Sequence, residues 1–227
     1  MKNLYLILNL GSILVPFLAS FHPRLKFYKK WKSLAIAMIM TNLFFIPWDI
    51  YFTKIGIWGF NNNYYLGNIF LGLPIEEWLF FICIPYACVF MYYALLELFP
   101  KLSFSEKSGK WITTILFIFF TISLIINYNK WYPFINYSIA IGLLSFVYLK
   151  SKTLLFKYYK TFIVMLVPFI IVNGILTGTG IVDEIVWYNN SENMGVRFLT
   201  IPVEDITYAF TLILLNLFIV DYLEKKQ

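Results

Sequence analysis

Leu73-Pro74-Ile75-Glu76-Glu77-Trp78-Leu79-Phe80 returns 128 residues later as Ile201-Pro202-Val203-Glu204-Asp205-Ile206-Thr207-Tyr208. The correspondence continues outward in order. At the same offset Gly67 answers Gly195, and Phe60-Asn61 answers Tyr188-Asn189. Further upstream, Asp49-x3-Thr53-x2-Gly56-Ile57 matches Asn173-x3-Thr177-x2-Gly180-Ile181 at an offset of 124, with a four-residue insertion between. One tetrapeptide can recur by chance, but an ordered series of matches marks an internal repeat.

The repeat sits in a chain too apolar for a water-facing surface. Of 227 residues, 60% are hydrophobic and 13% charged, with a mean hydropathy of +0.73; soluble domains carry about 25% charged residues. The apolar residues fall in long uninterrupted windows, which read as membrane-spanning helices. Seven are expected, over Leu4–Ser20, Ser33–Phe52, Leu73–Phe99, Trp111–Asn127, Trp131–Leu149, Thr161–Thr177 and Leu199–Val220. Leu4–Ser20 runs into a basic segment without a small-residue cleavage site, so it is taken as the first span and not as a removable signal. Cys83 and Cys88 share one apolar window and are read as packing residues. His22, beside Pro23 in a basic loop, is read as solvated.

The net charge of +6 does not form a nucleic-acid-binding stripe. Fourteen Lys and Arg residues cluster in the loops on one side of the expected spans and at the C-terminus, against four (Lys2, Lys54, Lys130 and Arg197) on the other. The positive-inside rule then places the N-terminus outside and the C-terminus in the cytoplasm of a multi-pass cell-membrane protein.

The fold class expected is all-α: two three-helix repeats, residues 1–99 and 131–227, joined by a connecting helix within 100–130. A shift of four spans, an even number, makes the repeats parallel, related by a pseudo-twofold axis along the membrane normal. Both acidic motifs then lie at one depth, near the outer face, and can meet in one cleft.

A proline at the first helical position followed by acids in the first turn is also ordinary helix-start chemistry. The setting argues for more. Glu76, Glu77, Glu204 and Asp205 open two aromatic, apolar spans with no Lys or Arg inside them, and intramembrane carboxylates are costly enough to signal function. Neighbouring helical residues point about 100° apart, so one acid of each pair should face the cleft. A desolvated carboxyl lacking a counter-ion favours its neutral form, as a proton donor to a weak base requires. Asp49 is a fifth acid at membrane depth, replaced in the other copy by Asn173. Trp48, Trp58, Trp78, Phe80, Phe81, Trp187, Tyr188, Tyr208 and Phe210 surround the acids. They read either as an interfacial belt or as ring faces that stabilise a desolvated cation by about 2 kcal/mol each. Asp49, Trp48, Trp78, Phe80, Asn173 and Tyr208 are the candidate substrate-binding residues.

The stretch from Phe60-Asn61 through Leu73–Phe81, with its echo Thr200–Tyr208, resembles the lycopene cyclase domain family of membrane-integral carotenoid cyclases, here with two halves fused. The resemblance spans nearly the whole chain. It implies redox-neutral closure of the acyclic ends of lycopene to β-ionone rings in carotenoid biosynthesis. It also implies a carotenoid substrate drawn from the bilayer lipids, and Glu76 or Glu77 acting with Glu204 or Asp205 as proton donor and acceptor. No Gly-rich dinucleotide fingerprint follows a strand, so no flavin or other cofactor is expected, and no metal. Ring type, homo-oligomerisation and the division of roles among the acids stay open.

Three other readings compete. A proton-coupled carrier would use the same acids in a parallel repeat, although these stand at helix starts near one face. A seven-span retinal protein needs a lysine that Leu199–Val220 lacks. A non-catalytic carotenoid scaffold would bind pigment without converting it.

Overall fold

Each apolar window becomes a helix. The computed structural model describes residues 2–226 and runs α1 (Leu4–Ala19), α2 (Trp31–Lys54), α3 (Ile75–Leu98), α4 (Glu106–Ile126), α5 (Trp131–Lys150), α6 (Lys152–Leu176) and α7 (Val203–Glu224). Six are long and apolar enough to cross a membrane, whereas α1, at 16 residues, falls short of the usual span. Large apolar side chains such as Leu43, Val15, Ile126 and Leu149 stay exposed on the outer faces, as lipid-facing residues do. Met1 and Gln227, at the outer limits of the two expected repeats, lie outside the described residues.

Helices α1–α3 and α5–α7 are equivalent, with α4 as the connector. Helix α1 packs along α3, and α5 along α7. The halves also interlock: α2 lies more closely against α7 of the other half than against its own α3. The equivalent contact, α6 with α3, is looser.

Between α2 and α3 lie strands β1 (Trp58–Phe60), β2 (Ile69–Phe70) and β3 (Leu73–Pro74); between α6 and α7 lie β4 (Val186–Tyr188), β5 (Arg197–Phe198) and β6 (Ile201–Pro202). The hydropathy windows gave no sign of them. β1 pairs antiparallel with β4, Gly59 opposite Trp187. At the repeat offset of 128, Gly59 and Trp187 are themselves equivalent, so the pseudo-twofold axis passes through this pair. The Asn61 amide donates to Ile185 O at 2.9 Å, and its counterpart Asn189 donates to Ile57 O at 2.8 Å. The two halves are thus stitched by reciprocal backbone hydrogen bonds. A Cβ on Gly59 would meet the Trp187 ring at 2.3 Å, which explains glycine there.

The other strands form two hairpins, β2–β3 and β5–β6, each closed by a two-residue turn. Leu71 and Gly72 both take positive φ, 51° and 86°, as a type I′ turn requires. Each hairpin leads directly into an acidic helix. Pro74 and Pro202 therefore differ from expectation: with ψ of 147° and 136° they are extended N-cap residues belonging to β3 and β6, and the helices begin one residue later. Pairing with Ile69 and Arg197 fixes them in the strand.

Helix α6 also differs. It starts at Lys152, nine residues before the expected Thr161, after a connection of one residue, Ser151. Lys157 and Lys160 ride on its first turns, and the Lys160 ammonium sits 5.1 Å from the Phe104 ring centroid. Lysine stems can lie along apolar surface although a hydropathy window counts the whole residue as polar.

Candidate functional site

The looser packing of α6 on α3 leaves a cavity of about 720 Å³ bounded by α1, α3, α6 and α7. Along α3 its lining recurs at helical spacing through Glu77, Phe80, Ile84, Ala87, Met91, Ala94 and Leu98. At 1.5 Å per residue that stripe is about 31 Å long, roughly the thickness of the hydrocarbon core. Exposed lining residues such as Ile7 and Val15 of α1 leave it open on one side of the helix bundle. Among the described residues its only charged lining side chains are Asp49, Glu77 and Asp205. All three come from the helix ends at which the hairpins sit.

The adjacent acids of each motif part company. Glu76 and Glu204 are fully buried and do not line the cavity. Glu76 Oε1 accepts the Leu66 amide at 2.8 Å, and Glu204 Oε1 accepts the Met194 amide at 2.5 Å. Each carboxyl thereby ties a helix start to the loop ten residues before it. Backbone carbonyls of the same two residues accept from Asn9 Nδ2 (2.7 Å) and Asn136 Nδ2 (2.8 Å). Glu77 and Asp205, the second acids, turn into the cavity.

Each cavity acid has fixed partners. Asp205 gathers three donors: the Tyr132 hydroxyl on Oδ1 (2.6 Å), and Asn173 Nδ2 (2.8 Å) with the Tyr188 hydroxyl (3.0 Å) on Oδ2. Burial, reinforced by the Asp205 charge, pushes the Tyr188 phenol well above its usual range, so it stays a donor. Glu77 receives the Tyr5 hydroxyl on Oε2. Asp49 accepts Trp58 Nε1–H at 2.6 Å and lies within electrostatic reach of Glu77. Aromatic faces close this end. Tyr132 stacks on Tyr188 with 6.0 Å between centroids, Trp58 meets Tyr132 edge-on at 5.1 Å, and Tyr208 lies 5.0 Å from Trp48.

Of the residues expected to bind substrate, Asp49, Phe80, Asn173 and Tyr208 line the cavity. Trp48 and Trp78 do not. Trp48 packs behind Tyr208 and Trp58, and Trp78 Nε1 donates to Phe70 O at 3.1 Å, bracing a hairpin. Tyr5 and Tyr132 also line the cavity, outside the set expected from the sequence. The signal was present: Tyr5-x3-Asn9 matches Tyr132-x3-Asn136, at an offset of 127.

A family model described as Lycopene cyclase matches residues 2–95 and 129–223, one segment in each half of the repeat. No curated protein and no solved structure matches the chain.

Proposed function

The chain belongs to the lycopene cyclase family, whose model covers both of its halves, and we propose that it closes the acyclic ends of lycopene, one at a time, to give β-carotene by acid–base catalysis. The observation that carries this reading is the cavity itself: an apolar groove about as long as the bilayer core, with its three carboxyls and its aromatic faces at one end. A C40 polyene fits such a groove lengthwise and offers one terminus to the acids.

Glu77 and Asp49 form the donor side. Two neighbouring desolvated carboxyls without a lysine or arginine beside them retain a proton between them, as paired acids do elsewhere. That proton goes to the terminal trisubstituted alkene. The tertiary cation is captured by the neighbouring double bond, and the new ring cation lies among the faces of Trp58, Tyr132 and Tyr208. Each face supplies about 2 kcal/mol when water is excluded. Asp205 is the base: three hydrogen-bond donors stabilise its ionised form, and it removes a ring proton to leave the cyclic alkene. No electron changes hands. Glu76 and Glu204 hold the loops and take no part in proton transfer. The lysine distribution puts the acid end toward the outer face, with the N-terminus outside and the C-terminus in the cytoplasm.

Protein purified into lipid vesicles with lycopene, and with no nicotinamide or flavin added, should yield monocyclic and bicyclic carotenoids by chromatography. Unchanged lycopene, together with lycopene-independent proton flux across the vesicle membrane, would favour the carrier instead.

A further inference from the structure

Each ring closure leaves the site out of balance. The donor pair has lost one proton and Asp205 has gained one, so the next turnover requires the proton to return. In the proposed cyclase, on which this inference rests, the return crosses an apolar chamber with few polar groups to carry it. Tyr5, Tyr132, Tyr188 and Trp58 each already give their one polar hydrogen to a carboxyl. Tyr208 differs. It lines the cavity, yet its hydroxyl makes no hydrogen bond among the described residues. It follows Asp205 by three positions on α7, hence on the same helical face. Its ring meets Phe45 edge-on (5.3 Å) and Trp48 at a tilt (5.0 Å). It shares the lining of the cavity with Asp49, Glu77 and Asp205. The equivalent position in the other half, Phe80, carries no hydroxyl.

We propose that Tyr208 returns the proton from Asp205 to the Glu77–Asp49 pair after each ring is made. The phenol oxygen accepts the proton of the Asp205 carboxyl as its own passes to the carboxylate of the pair. One O–H bond of the tyrosine breaks and one forms. Asp205 ends ionised, the pair ends with its proton, and nothing is oxidised or reduced.

The test is Tyr208→Phe, which keeps the ring and installs the residue that the other half already has. With enzyme in excess over lycopene, the rate of the first ring closure reads the contact of the residue 208 ring with the substrate, and it should fall several-fold less than the multiple-turnover rate. Under multiple turnover the rate should fall by about tenfold or more, the scale of one lost proton-transfer group. Added acetic acid should recover part of it. In D2O, over many turnovers per enzyme, the unsubstituted protein should average well under one deuterium per new ring, because substrate hydrogen is recycled, whereas Tyr208→Phe should approach one. Equal losses in the single- and multiple-turnover rates, or the same deuterium content in both proteins, would overturn the relay and leave the cyclase standing. Failure of the unsubstituted protein to cyclise any carotenoid would remove both readings together.

Discussion

Replacing Glu76 and Glu77 by glutamine, one at a time, separates two neighbours of the same charge by what each touches. Glu77 faces the cavity and receives one hydroxyl, from Tyr5. Glu77→Gln keeps the size and an acceptor oxygen but cannot release a proton. General acid catalysis is worth about 10² to 10⁴ in rate, so turnover should drop by that factor with little change in thermal stability. Glu76 is enclosed, and one oxygen accepts the Leu66 amide at 2.8 Å. In Glu76→Gln the side-chain carbonyl can still accept that bond. Stability should then change by no more than about 1 kcal/mol, and turnover per folded molecule should persist. Glu76→Ala strands the buried amide and should cost about 1–3 kcal/mol, loosening the loop that carries β2. The second half should behave alike, Asp205→Asn matching Glu77→Gln and Glu204→Gln matching Glu76→Gln. Carotenoid chromatography on protein normalised for its folded fraction, with melting followed in detergent, reads both quantities. The division of labour is wrong if Glu76→Gln silences a stably folded protein while Glu77→Gln keeps near-normal turnover.

Gly59→Ala should weaken the seam between the halves, because its methyl would lie 2.3 Å from the Trp187 ring; a loss of about 1–3 kcal/mol is expected, largely recovered by Trp187→Ala on the same chain, and additive effects of the two substitutions would count against the contact. Because the groove carries acids at one end alone, a limited pulse of lycopene should pass through a free monocyclic carotenoid before bicyclic product accumulates. Time-resolved chromatography with no monocyclic species and no lag would contradict that geometry.

Much of the fold was legible because the repeat and the apolar windows are long-range features that a single substitution cannot hide. The finer choices depended on contacts far away in sequence. Which acid of each pair enters the cavity is settled by the Leu66 and Met194 amides, ten residues upstream; in the sequence, Glu76 and Glu77 are simply adjacent. The short ribbons escaped notice because two or three residues cannot establish a period of two. Tyr5 and Tyr132 were obscured because their offset of 127 differs by one from that of the acids. The start of α6 was hidden by Lys152, Lys157 and Lys160, whose charge a hydropathy window counts although their stems are hydrocarbon.

The positions where the two halves disagree bear on how the site could work. Equivalent residues are preserved in the scaffold: Asn9 with Asn136 and Glu76 with Glu204, each pair making the same hydrogen bonds. They are also preserved in Tyr5 with Tyr132, each donating to the cavity acid of its half. Four other pairs diverge: Asp49 against Asn173, Trp58 against Val186, Phe60 against Tyr188 and Phe80 against Tyr208. All eight of these residues line the cavity. A strictly twofold site would offer identical carboxyls on both sides, equally ready to give and to take a proton. Cyclisation is directional, since the proton arrives at one carbon and leaves from another. Divergence gives one half a second acid and the other half three donors around a single carboxyl. The same duplication that builds a symmetric frame can therefore hold an acid and a base at equal depth, provided the substitutions that distinguish them fall on the cavity wall, and here they do.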